Sequence, residues 1–181
     1  MQKRLFVAIS LPEDIRKRLF RFAEKEYKNL PVKWIRQENI HLTLNFLGYI
    51  LDENVLDICQ SVQNAAENIN SFEMRFTGAE LGPNSKSKKM IWVTGEKSRE
   101  LSKLKNELDK SLGFFEREMK DFKPHITIGR VRKKEWKKIH PEPSVDRNFR
   151  FSIPVSSVEI FESRFEKGKR VYYKLESFSL R

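Results

Sequence analysis

Residues 40–48 read Ile40-His41-Leu42-Thr43-Leu44-Asn45-Phe46-Leu47-Gly48, and polar and apolar side chains alternate along them. A period of two marks a β-strand with one covered face. The alternation predicts His41, Thr43 and Asn45 on one side and Leu42, Leu44 and Phe46 on the other, with Gly48 ending the strand. A second stretch, Pro124-His125-Ile126-Thr127-Ile128-Gly129-Arg130, is patterned in the same way. The chain has three histidines, and two of them carry a threonine two positions later. With threonines placed at random that coincidence is roughly a 1-in-700 event, too rare to dismiss as a short-motif accident.

The surroundings of the two motifs also repeat. Arg4 to Ser10 is an apolar, β-branched run, and Ser10-Leu11-Pro12-Glu13 has the form of a capping box that opens a helix. Ile15, Leu19, Phe22, Ala23 and Tyr27 recur at helical spacing until Asn29 and Pro31 stop the pattern, and Val32 to Arg36 is a short strand before the first motif. In the second half, the strand Met90 to Thr94 precedes a helix from Ser98, with Leu101, Leu104, Leu108 and Leu112 on one side and Gly113 at its end. Strand, helix and His-x-Thr strand thus occur twice, which predicts two similar lobes. A pseudo-two-fold relation between them brings the two His-x-Thr strands together, because equivalent faces meet across such an axis.

A further helix follows Asp52, and Phe72 to Phe76 reads as a strand. Residues 82–89, Gly-Pro-Asn-Ser-Lys-Ser-Lys-Lys, read as a projecting cationic loop, and Arg132 to Asn148 as a second basic loop. Phe149 to Val155, Ser157 to Phe161 and Val171 to Leu180 read as three closing strands, with Gly168 turning the last hairpin.

The chain of 181 residues, 39% hydrophobic and 34% charged with 14 Phe, suits a folded globule rather than a disordered one. Its Lys and Arg number 36 against 25 Asp and Glu, a net charge of +11 that favours phosphate-bearing partners. No apolar run reaches the roughly 18 residues of a membrane span, and acids and proline follow the N-terminus too soon for a signal peptide. A cytoplasmic protein with no membrane partner is expected. The lone Cys59 cannot form an internal disulfide, which agrees with a reducing compartment. Nothing in the sequence demands more than a monomer.

Imidazole moves protons near neutrality, and hydroxyls donate to anionic oxygens. Two His-x-Thr pairs facing each other could hold one phosphate, with a base behind an attacking water and an acid behind the leaving oxygen. Neither motif has Cys, His or Asp neighbours at metal-ligand spacing, so no metal is expected. His140 reads as a surface residue, and Trp34, Trp92 and Trp136 read as packing residues.

The segments FVAISLP, HLTLNFLG, LGP followed by MIWVTG, PHITIGR and VEIFESRFEKGKRVYYKLESF together resemble the bacterial and archaeal RNA 2′,3′-cyclic phosphodiesterases. That LigT-like group, once called 2′-5′ RNA ligases, belongs to the 2H phosphoesterase superfamily. The resemblance spans essentially the whole chain. It implies an α+β fold in a single bilobal domain over residues 1–181: two pseudo-symmetric lobes, each with an antiparallel sheet and outer helices, and an active-site cleft between them. It implies hydrolysis of an RNA terminal 2′,3′-cyclic phosphate to a 2′-phosphate without metal or cofactor, with a reversible 2′-5′ RNA ligation beside it and tRNA halves among the RNA partners. Carried onto this chain, His41 matches the proton donor to the departing 3′-oxygen and His125 the base that deprotonates water. Thr43 and Thr127 match the residues that hold the non-bridging oxygens. Arg130 matches a substrate-binding arginine, although strict alternation points it away from His125 and Thr127; a bulge or a structural salt bridge would resolve the conflict. The family commonly has Leu-Ala before that arginine, where this chain has Ile128 and Gly129. Two other readings fit the same residues: a phosphodiesterase of small cyclic nucleotides, and a non-catalytic RNA- or nucleotide-binding module.

Overall fold

The computed structural model describes residues 1–84, 87–113 and 122–181. In chain order the elements are β1 (Gln2–Ser10), α1 (Glu13–Glu26), β2 (Val32–Trp34), β3 (His41–Leu51), α2 (Val55–Glu67), β4 (Phe72–Asn84) and β5 (Ser87–Gly95). They continue with α3 (Arg99–Ser111), β6 (His125–Val131), α4 (Lys133–Trp136), β7 (Arg147–Val155), β8 (Ser157–Glu166) and β9 (Lys169–Ser179). The class is α+β, with every strand pairing antiparallel.

The sheet order is β7-β4-β5-β6-β3-β1-β8-β9, with β2 alongside β6. Its two halves meet through the pair Leu42↔Ile126, where β3 lies against β6. The expected repeat is present as β1–α1–β3 and β5–α3–β6, and in both units the first strand pairs with the His-x-Thr strand. One hydrophobic core serves both halves. Leu5, Val7 and Ile9 from one and Ile91, Val93 and Ile126 from the other share it with helix residues such as Leu19, Ile58 and Leu104. The repeats also clasp each other, since Asn45 on β3 donates to Asp109 on α3 of the other unit at 2.7 Å. Among the described residues, no helix is long and apolar enough to cross a membrane.

Several local readings change. The Ser10 capping box does not form: Ser10 is still the last residue of β1, its backbone N–H donates to Glu159, and Pro12 caps α1 without a side-chain hydrogen bond. The strand claims the residue that the helix would have used. At α3 the local signal prevails, and the Ser98 hydroxyl accepts from the Leu101 N–H at 3.0 Å. The expected loop at 82–89 is mostly hairpin, with β4 running to Asn84 and β5 starting at Ser87; residues 85–86 lie outside the described residues. Its glycine has a packing reason, because a Cβ on Gly82 would fall 2.3 Å from the Trp92 ring. The basic segment after β6 contains the short α4. Gly168 turns the last hairpin at a φ of +75°, a left-handed conformation that glycine adopts at no steric cost.

Candidate active site

Both His-x-Thr strands carry the same irregularity. Along β1, Val7 pairs with Asn45 and Ala8 with Thr43, so Leu44 is an extra residue. Along β5, Ile91 pairs with Gly129 and Trp92 with Thr127, so Ile128 is extra. Each is a β-bulge one residue after the motif threonine, and a bulge reverses the side on which later residues project. Asn45 therefore turns into the core, where it is buried, and Phe46 emerges on the histidine side, 72% exposed. This corrects the simple alternation, which put Asn45 beside His41 and Phe46 opposite. Arg130 changes sides for the same reason. It pairs with Met90, which lies on the same side of β5 as Trp92 and Thr94, the partners of Thr127 and His125. Gly129 takes the core side, where a Cβ would come within 2.5 Å of Val32 and 2.9 Å of the Trp34 ring.

Leu42 and Ile126 are fully buried and face each other across the junction of the halves. His41, Thr43, His125 and Thr127 flank that pair and project from the opposite face of the sheet. Antiparallel register sets His41 across from Thr127 and Thr43 across from His125. The four sequence-predicted residues, with Arg130 and Lys33 beside it on β2, thus share one face.

The two rings are held alike. His41 Nδ1 is 2.8 Å from the Asn39 carbonyl, and His125 Nδ1 is 2.8 Å from the Lys123 carbonyl. A carbonyl can only accept, so both Nδ1 atoms carry the proton in the neutral ring and both Nε2 atoms bear the lone pair. His41 Nε2 accepts from the Thr43 hydroxyl at 2.9 Å.

Their surroundings differ. His41 sits among Phe6, Phe161 and Tyr172, with ring centroids 4.9, 6.3 and 5.2 Å away. Burial in this setting pushes its pKa down to about 4, against a partly restoring bond to Asn39; the charge of His125 lowers it further. His125 stacks on Trp92 at 3.7 Å, and burial lowers its pKa too. The Lys123 carbonyl and the Glu80 carboxylate oppose the shift, while the Lys123 cation adds to it. Burial would raise the Glu80 carboxyl, but hydrogen bonds from Lys123 and Thr94 outweigh it and keep Glu80 ionised.

The stacking role of Trp92 was hidden in the sequence, where an apolar strand residue reads as packing; its two-residue offset from Thr94 on an alternating strand is the available signal. Among the described residues, no group of three His, Cys, Asp or Glu is disposed to hold a metal ion.

The chain has relatives among known proteins. The RNA 2′,3′-cyclic phosphodiesterase of Archaeoglobus fulgidus is 34% identical over 134 residues, 72% of this chain and 74% of its own. The chain belongs to the LigT-like phosphoesterase family. The family model, LigT like phosphoesterase, matches residues 9–92. The RNA 2′,3′-cyclic phosphodiesterase of Thermotoga maritima is 31% identical over 91% of this chain and 97% of its own. Among solved structures, a protein of Thermus thermophilus superposes with a TM-score of 0.83 at 28% identity, covering 98% of both chains. The LigT-like fold is thereby matched from end to end, bilobal and mixed helix and antiparallel sheet.

Proposed function

We propose that this LigT-like protein hydrolyses RNA terminal 2′,3′-cyclic phosphates to 2′-phosphomonoesters by metal-independent general acid–base catalysis. The observation that carries the reading is the single pair Leu42↔Ile126, flanked on one face by both His-x-Thr motifs. The names of the archaeal and bacterial relatives support the RNA substrate.

In this reading the cyclic phosphate lies in the cleft between the lobes with its phosphorus between the two Nε2 atoms. His125 Nε2 takes a proton from water as the water oxygen bonds phosphorus, and His41 Nε2–H gives a proton to the 3′-oxygen as the P–O3′ bond breaks. One P–O bond forms and one breaks, and exchange with solvent resets the two rings. The differences between the rings suit these roles. Glu80 and the Trp92 face favour a proton arriving on His125, whereas the buried His41 surrenders one readily. In the free protein the Thr43 hydroxyl is spent on His41 Nε2. Protonating that nitrogen removes the acceptor, and the hydroxyl is free to donate to a non-bridging oxygen, with Thr127 and Arg130 supplying the others. With an RNA 5′-hydroxyl in place of water, His125 takes the hydroxyl proton and His41 protonates the departing 3′-oxygen as a 2′-5′ linkage forms, and in the reverse cleavage of that linkage the two histidines exchange roles.

Incubation with a 2′,3′-cyclic-phosphate oligoribonucleotide in EDTA tests the proposal. The expected product keeps phosphate on the 2′-oxygen. Phosphate retained on the 3′-oxygen, or activity abolished by chelation, would overturn it.

A further inference from the structure

Beyond the reacting phosphate, the half of the sheet that carries His41 presents an open aromatic and cationic face. Its register sets what shares that face. Arg4 pairs with Tyr49, Phe6 with both Phe46 and Phe161, Ser163 with Tyr172, and Phe165 with Arg170. Alternation along β1 and β8 then aligns Arg4 with Phe6, and Phe165 with Phe161, on the side of His41. Phe6 itself is buried under its neighbours, but Phe46, Tyr49 and Phe165 are 72%, 70% and 68% exposed. Largely exposed aromatic rings at three positions of one sheet face are costly to leave in water without use. They are interleaved with cations: Arg4 lies on β1 between the strands of Tyr49 and Phe165, and the Arg170 guanidinium sits 5.7 Å over the Phe165 ring. On this half α2 packs against β8 and β9, and among the described residues nothing covers Phe46, Tyr49 or Phe165 enough to make them less than two-thirds exposed.

We infer that the open face of β3, β1, β8 and β9 is a track for the single-stranded RNA leading to the cyclic end, with upstream bases stacked on Tyr49 and Phe165 and backbone phosphates on Arg4 and Arg170. The inference rests on the proposed function and extends it from one terminal nucleotide to an oligonucleotide. Three properties favour this occupant. The face begins at His41, its charge complements a phosphodiester backbone, and strands β3 and β8 stand about 10 Å apart across β1 with Phe165 two residues, about 7 Å, beyond the level of Tyr49, so the two positions are roughly 12 Å apart, near the reach of alternate bases of an extended strand. Stacking on flat rings tolerates any base, so the track selects single-stranded RNA without reading its sequence.

The experiment compares a 2′,3′-cyclic-phosphate hexaribonucleotide with the corresponding mononucleotide. Tyr49→Ala and Phe165→Ala should each raise the ratio of oligonucleotide KM to mononucleotide KM roughly five- to hundredfold, the range for one lost base stack. Fluorescence anisotropy with a 5′-labelled hexaribonucleotide bearing a 3′-phosphate reads binding independently of turnover, so the track is judged even if the proposed reaction fails. The same variants should weaken that binding to the same degree, and Arg4→Gln should flatten its salt dependence. Unchanged KM ratios together with unchanged anisotropy, or binding of anionic vesicles that matches or exceeds that of RNA, would overturn the inference.

Discussion

If burial holds His41 near a pKa of about 4, then the free protein at pH 7 carries a proton there in only about one molecule in a thousand. The acid role needs that proton, so substrate must supply the driving force. Lifting the pKa from about 4 to near 7 requires about 4 kcal/mol. One phosphate charge about 4 Å from Nε2 supplies about 4 kcal/mol at an effective dielectric constant near 20, so a single bound phosphodiester is sufficient. Isotope-edited NMR of the imidazole rings tests this directly. In the free protein His41 should titrate at about 4, with Nδ1 protonated in the neutral ring, and saturating inorganic phosphate should move that titration upward by roughly two to three pH units. Activity should follow, with kcat/KM greatest on the acid side of about pH 6.5 and kcat greatest at higher pH, since only the complex contains the phosphate. A free-protein His41 that titrates at 6.5 or above, or one that ignores phosphate, would end this account of the acid.

The same buried ring links stability to pH. The unfolded chain takes up this proton near pH 6.5 and the folded protein only near 4, so the contribution is complete above 6.5 and lost as pH falls toward 4. That loss amounts to about 3 kcal/mol, and urea denaturation at pH 7 and pH 4 should show His41→Gln losing that much less than the unaltered protein. His125→Ala should lower turnover by about 10²–10⁴-fold with an unchanged circular dichroism spectrum; turnover within tenfold of the original would remove His125 from the mechanism. Gly129→Ala drives a Cβ into Val32 and Trp34 and should cost about 1–3 kcal/mol in urea denaturation; an unchanged midpoint would mean that β2 yields freely. Trp92→Leu removes the ring stacked on His125 and should shift the His125 limb of the pH profile, whereas a purely structural tryptophan would lower stability and leave that limb in place.

Much of this architecture is written in local pattern. Apolar residues at helical spacing produced α1, α2 and α3, Ser98 caps α3, and Gly168 turns the final hairpin. The doubled strand, helix and His-x-Thr order announced two related units and the meeting of their motif strands, because periodicity and turn chemistry act over a few residues. Which face some residues occupy was not local. Leu44 and Ile128 are bulged because the neighbouring strands β1 and β5 offer one position where β3 and β6 present two, and that count exists only once the strands have paired. It sends Asn45 inward to Asp109 and brings Phe46 and Arg130 to the histidine side. The aromatic enclosure of His41, the Trp92 stack on His125 and the burial that lowers both ring pKa values likewise need contacts between strands far apart in the chain. Local residue order was enough to specify the elements and the chemical groups; pairing between distant strands settled which of those groups face one another and how readily each ring holds its proton.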